Sequence, residues 1–186
     1  TINGNITITN VDTNGGSTIW NEGNLVINGG TFTTNAMAGV GSYGGALYTT
    51  EDGRAVINGG NFIANSQLTY AILNYGETVI NNATVNAAYY SVWAENADSE
   101  TIINGGTFTS TNNIEKENGY AYAIRVSEGK LTINGANVSG HHGAICALDG
   151  ALATLNSGTY TLSTPCFTPG GNSSWVLYAN NATVNY

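Results

Sequence analysis

Positive charge is the scarcest commodity in this chain. Only four residues are Lys or Arg against twelve Asp and Glu in 186, for a formal net charge of −8. The four are Arg54, Lys116, Arg125 and Lys130. They are too few and too scattered to neutralise a run of phosphates, which argues against nucleic acid as a partner. Docking on an anionic membrane is disfavoured for the same reason. Charged residues of both signs make up only 9% of the chain, so Thr, Ser and Asn must build the polar surface, a style of secreted β-structure more than of a cytosolic helical protein. Proline occurs twice and glycine 25 times, so turns are made with Gly and Asn. No run approaches the roughly 20 apolar residues of a membrane span, and no membrane insertion of this segment is expected. A signal peptide is also missing. The chain opens directly on a repeat, as a mature protein or an excised piece does.

What the chain does have is repetition. Ile2-Asn3-Gly4, Ile27-Asn28-Gly29, Ile57-Asn58-Gly59, Ile80-Asn81-Asn82, Ile103-Asn104-Gly105, Ile133-Asn134-Gly135, Leu155-Asn156-Ser157 and Val184-Asn185-Tyr186 follow one another at steps of 22–30 residues. A fixed motif with irregular insertions marks a solenoid, whose units keep their core strands and vary their loops. A second apolar column lies five residues downstream, at Phe32, Phe62, Val85, Phe108, Val138 and Tyr160. A third lies upstream, at Ile19, Leu47, Ile72, Val92, Ile124, Ile145 and Val176. Three short strands per repeat predict an all-β, three-sided parallel β-helix of about seven to eight rungs, each strand pairing with its counterpart about 4.8 Å away.

The corners follow from the same spacing. Glu22-Gly23, Asp52-Gly53, Glu128-Gly129 and Asp149-Gly150 are turn pairs between first and second strands. Between second and third strands comes the asparagine. Asn28, Asn58, Asn81, Asn104, Asn134 and Asn156 are expected to stack as a ladder whose amides bond to one another and to turn backbone along the axis, buried at the central Asn81 and Asn104, with Asn tolerating φ > 0. The third-to-first connections vary in length. Long ones fall near residues 36–43, 111–120 and 163–173, on the side where solenoids often bind.

Candidate chemistry is sparse. Residues alternating outward on the first strand are Trp20, Tyr48, Leu73, Trp93, Arg125, Cys146 and Leu177, none acidic. Trp20, Tyr48 and Trp93 are the candidate ligand-binding row. Aromatic rings on a β-face suit the C–H face of a sugar, with Asn and Thr serving its hydroxyls. Arg125 shares the row as a candidate contact or a stacked surface arginine. Tyr70, Tyr90 and Tyr122 lie two residues before the inward aliphatic position, where parity assigns them to packing near the inward face. Val26, Val56, Val79 and Ile102 form an apolar stripe on the second strand. The Thr pairs of the third strand (Thr31/Thr33, Thr107/Thr109, Thr159/Thr161) are interrupted by Asn61/Ile63 and Asn137/Ser139. The turn carboxylates Glu22, Asp52, Glu95, Glu128 and Asp149 read as turn formers, with a Ca²⁺ column as the alternative; no metal or other cofactor is expected. Cys146 and Cys166 match no metal spacing. They are either two thiols or a disulfide pinning the loop at 163–173.

At this point the chain resembles a known group. The rung pattern is similar to the right-handed parallel β-helix of the pectate-lyase-like superfamily. Phe32-Thr33-Thr34-Asn35, Phe62-Ile63-Ala64-Asn65 and Gly44-Gly45-Ala46-Leu47 resemble the repeats of bacterial polymorphic outer-membrane proteins and related surface adhesins. The resemblance implies an extracellular or cell-surface location and a single domain over 1–186, part of a longer surface protein with further rungs or domains. Enzymes of that superfamily cluster carboxylates on one sheet, and glycoside hydrolysis needs a pair of them. The first-strand row has none. The expected function is therefore non-enzymatic: an adhesin or stalk module displaying loops and aromatics to a glycan or to a host or environmental surface protein. A carbohydrate-active enzyme is the first alternative, and an ice-binding solenoid with a flat Thr face is the second.

Overall fold

A computed structural model describes residues 1–12, 15–36, 44–66, 68–111, 122–163 and 175–186. Its strands form three sheets of seven, and every pairing is parallel. The first sheet contains Ile19–Asn21, Gly45–Thr49, Tyr70–Asn74, Tyr90–Glu95, Tyr122–Ser127, Gly143–Leu148 and Leu177–Asn180. The second contains Asn24–Ile27, Arg54–Ile57, Glu77–Ile80, Glu100–Ile103, Lys130–Ile133, Leu152–Leu155 and Thr183–Asn185. The third contains Thr7–Asn10, Thr31–Thr34, Asn61–Ala64, Thr84–Ala87, Thr107–Ser110, Asn137–Gly140 and Thr159–Leu162. The chain visits the three sheets in rotation, so this is a right-handed parallel β-helix of seven rungs with three strands each. The long connections expected near 36–43, 111–120 and 163–173 lie almost wholly outside the described residues.

Like stacks on like through the core. Ile27, Ile57, Ile80, Ile103, Ile133 and Leu155 pair in one register down the second sheet. Phe32, Phe62, Val85, Phe108, Val138 and Tyr160 do so down the third. The Phe32 and Phe62 rings lie 5.1 Å apart at 28°. Four-residue strands bury too little to stand alone, so each is stable only because the rungs above and below complete its ladder and cover its inward side chains. Val26, Val56, Val79 and Ile102 form the outward, half-buried column between those cores. Along the third sheet Asn61/Ile63 and Asn137/Ser139 interrupt the outward Thr columns. The spacing slips in the last rung. Val184 pairs with Ala153, not Leu155, and Leu177, not Val176, pairs with Ile145.

The asparagine ladder is present, but it differs in two respects from its expected form. Each Nδ2 donates to the Oδ1 of the preceding rung: Asn28 to Asn3, Asn58 to Asn28, Asn81 to Asn58, Asn104 to Asn81, Asn134 to Asn104 and Asn156 to Asn134, at 2.6–2.8 Å. The ladder runs up the outside of the corner, and its members are exposed rather than buried. None of the six has positive φ; in four of the turns it is taken by a glycine two residues on, Gly30, Gly60, Gly106 or Gly158. Gly106 sits at φ +113, and a Cβ there would lie 2.4 Å from the Ala83 carbonyl oxygen, so the turn requires glycine for both conformation and space. The buried asparagines are others. Asn74, at the end of a first-sheet strand, donates to the Gly76 and Glu100 carbonyls and to Thr101 Oγ1, while its Oδ1 accepts from Gly76 N–H and Thr78 Oγ1. Asn21 donates to the Arg54 carbonyl in the same manner. These two amides fasten a first-to-second turn to the rung beyond it.

Because Asn104 makes two exposed side-chain bonds, Asn104→Ala is expected to cost about 0.5–1.5 kcal/mol, the net worth of such bonds when water can replace them. Urea denaturation checks this. Wild-type stability in both Asn104→Ala and Asn81→Ala would contradict a stabilising ladder.

Candidate functional site: the outer face of the first sheet

The expected ligand-binding residues fall on one column. Trp20 pairs with Tyr48, Tyr48 with Leu73, Leu73 with Trp93, Trp93 with Arg125, Arg125 with Cys146, and Cys146 with Tyr178. Tyr178 therefore replaces Leu177 at the foot of the row. Exposure is uneven. Trp20 is 51% exposed and Tyr48 only 6%, while Trp93 and Arg125 are half-buried. Neighbouring aromatic rings cover the row.

Those rings come from a break in alternation. Ala46-Leu47, Ala71-Ile72, Ala123-Ile124 and Ala144-Ile145 all place two consecutive residues in the core. Ser91, also fully buried, takes the alanine's place in its rung and donates to the Thr109 carbonyl at 2.6 Å. With two neighbours facing in, the preceding residue faces out. Tyr70, Tyr90 and Tyr122 consequently pack outside the sheet with Trp93, Cys146 and Tyr178, instead of near the inward face where strict parity had put them. Glycine makes room where such a ring lies over the next rung: a Cβ on Gly143 would fall 2.1 Å from the Tyr122 ring.

Two groups of rings result, with Leu73, 2% exposed, in the row between them. In the first, Trp20 meets Tyr48 edge-on at 4.6 Å and 78°, and Tyr48 meets Tyr75 at 5.6 Å and 87°. Trp20 Nε1 donates to Glu22 at 2.9 Å, and Tyr75 Oη donates to Glu95 at 3.1 Å. In the second, Tyr70 stacks on Tyr90 at 6.0 Å and 9°, and Trp93 meets Tyr70 edge-on at 4.6 Å. Arg125 lies over Trp93, 5.0 Å from its ring centroid, and over Tyr90 at 5.7 Å. Its Nη1 donates to Tyr90 Oη at 3.2 Å and its Nε to Ser127 Oγ at 3.1 Å. Arg125 is thus a stacked arginine, held by π-faces and hydroxyls. The Trp93 indole N–H is buried and has no hydrogen-bond partner among the described residues. Tyr75, Tyr89 and Tyr178 were not anticipated here, and Tyr70 and Tyr90 were expected only as inward packing. The recurrence of Tyr70, Tyr90 and Tyr122 two residues before the first-strand aliphatic position was the available signal.

Four of the five turn carboxylates serve local structure. Glu22 and Glu95 anchor rings, and Glu128 and Asp149 occupy left-handed turn backbone at φ 68° and 55°. Among the described residues no group of three His, Cys, Asp or Glu is placed to hold a metal ion. Cys146 is buried on the outward row, and burial pushes its thiol up to about 12. Cys166, its expected disulfide partner, lies outside the described residues. Comparison with protein-family models, with curated proteins and with solved structures found no match.

Desolvation also raises the Tyr70 and Tyr90 phenols above their usual 10.0, an effect the Arg125 charge only partly offsets. For all three groups the folded pKa exceeds the unfolded one. Their contribution to stability is therefore complete below the ordinary values of 9.0 for the thiol and 10.0 for the phenols, and is lost as pH climbs through the folded values. Unfolding free energy is expected to fall between about pH 9 and pH 12, and to fall less in Tyr90→Phe and Cys146→Ala. Denaturant titrations across that range read it directly. An identical decline in both variants would contradict the assignment.

Proposed function

We propose that this chain is a non-enzymatic adhesin or stalk module of a secreted or cell-surface bacterial protein, which docks a glycan or a surface protein on the outer face of its first sheet. The observation that carries the reading is the column from Trp20 to Tyr178, a continuous outward row of four rings, one leucine, a stacked guanidinium and a thiol on a solenoid. Trp20, 51% exposed, and the half-buried Trp93, Arg125 and Tyr178 are the members of the row that a partner could reach, and aromatic and arginine side chains are the residues that most often anchor interfaces. That row contains no carboxylate, whereas glycosidic cleavage by paired acids needs two across the bond. The resemblance of Phe32–Asn35, Phe62–Asn65 and Gly44–Leu47 to surface-adhesin repeats supports the same reading.

The test is a glycan array together with pull-down on bacterial and host cell-surface protein fractions, using the wild-type chain and two variants. Trp20→Ala removes the most exposed ring of the row, and Trp93→Ala removes the platform under Arg125. Each is expected to weaken binding at least about tenfold, or about 1.4 kcal/mol, while leaving the β-rich circular dichroism spectrum unchanged. A ligand held normally by both variants, or turnover of a polysaccharide by the wild-type chain, would overturn the proposal.

A further inference from the structure

Where the second sheet turns into the third, a groove of about 410 Å³ runs across four consecutive strands of the third sheet. One wall is the outward column Thr7, Thr31, Asn61 and Thr84, which keeps one register from strand to strand. Asn5 and Asn82 stand beside that column at the turns. Five of these side chains are exposed and Thr31 is half-buried. The one hydrogen bond among them is a long one, from Asn61 Nδ2 to Thr31 Oγ1 at 3.4 Å. Their side chains make no other among the described residues, so hydroxyl and amide donors and acceptors remain open to the groove.

The backbone adds donors. Gly30, Gly60 and Ala83 also line the groove, one at each successive turn. Their carbonyls are taken by the next rung, which donates from the N–H groups of Asn61, Thr84 and Thr107. Their own N–H groups have no hydrogen-bond partner among the described residues. Ala83 is only 5% exposed, and an unmatched donor in so covered a place is costly unless a polar group reaches it. No Asp, Glu, Lys, Arg or His lines the groove.

Charge and periodicity select the occupant. A groove without a charged side chain offers no counter-ion to a carboxylate, a phosphate or an ammonium, and the net charge of −8 repels anions at longer range. Unused donors and acceptors side by side suit hydroxyl groups, which are both. A similar set returns at each rung, ~4.8 Å further on, so a ligand that uses all of it must itself repeat. We infer that the groove binds a linear, uncharged polysaccharide whose chain lies along the solenoid axis. Its oxygens accept from the Gly30, Gly60 and Ala83 N–H groups, and its hydroxyls exchange hydrogen bonds with the Thr and Asn side chains. This is a second site, on another corner of the solenoid, and it stands whether or not the aromatic face of the first sheet has a partner.

The experiment adds cellohexaose, laminarihexaose, mannohexaose and N-acetylchitohexaose, all neutral, to the full chain and follows its backbone amides by NMR. At least one of the four is expected to shift the Gly30, Gly60 and Ala83 signals. The corresponding disaccharide, which spans fewer rungs, should bind at least tenfold more weakly. Thr31→Val/Thr84→Val removes two hydroxyls and keeps the β-branched shape, and it is expected to weaken binding at least fivefold. Thr107→Val, one strand beyond the groove in the same column, and Trp20→Ala, on the aromatic face, should each leave it within twofold of wild type. No shift of those three amides with any of the four sugars would overturn the inference. Tighter binding of hexagalacturonate, with a carboxylate on every ring, would overturn the uncharged occupant. Equal weakening by Thr107→Val would mean diffuse contact with the sheet and would overturn the groove. Binding lost in Trp20→Ala and kept in Thr31→Val/Thr84→Val would put the sugar on the aromatic face, so that the docking reading stands and the groove falls.

Discussion

Among the described residues, the inward side chains of the central rungs lie on their counterparts in the next rung, and the rest of the structure depends on keeping that register. A strand of four residues contributes few hydrogen bonds and little buried area by itself. Stacked seven deep, the strands share one continuous core of isoleucine, phenylalanine, valine and alanine. A slip of one residue would turn Ile80 outward and Val79 inward, along with every partner above and below. Such a slip is resisted at two corners. The Asn ladder ties successive second-to-third turns at one distance, and Asn21 and Asn74 fasten two of the first-to-second turns. The first-to-second turns vary only between two and four residues, and the long insertions in the sequence fall at the third corner.

The same register organises the outer face. Two adjacent small and aliphatic residues turn inward on each central first-sheet strand, so the residue before them is forced out. Where that residue is tyrosine, its ring joins the outward row and covers it. The aromatic face is therefore a consequence of how the core is packed. Its rigidity comes from the sheet below, and its low charge density follows from a chain that has few ionisable residues to place there. On the function proposed above, the rings and the stacked arginine serve as preorganised contact area.

Much of the architecture was legible because solenoid periodicity survives irregular loop lengths. The Ile-Asn-Gly spacing located all three inward columns over the central rungs, and parity along the first strand aligned Trp20, Tyr48, Trp93 and Arg125 as they stand in the sheet. What escaped was whatever depends on the third dimension at a corner or a break. The motif revealed that the asparagines stack but not which side of the turn they occupy, because alternation rules stop where the strand stops. Strict alternation also misplaced Tyr70, Tyr90 and Tyr122, since alanine and serine are small enough to share the core with the aliphatic residue beside them. The last rung slipped because Val176 and Val184 are as apolar as the residues that truly continue the columns. Asn21 and Asn74 carry no motif, and their role emerges only when the next rung's carbonyls arrive beside them.

The register itself can be read in one spectrum. With isoleucine, leucine and valine methyl groups labelled, nuclear Overhauser contacts should run in an unbroken walk from Ile27 to Ile57, Ile80, Ile103 and Ile133, each methyl seeing its counterpart one rung away. Val79 and Ile102 should form a separate, outward walk. Contacts joining Ile80 to Ile102 in place of Ile103, or the absence of any contact between consecutive members of the column, would contradict the account.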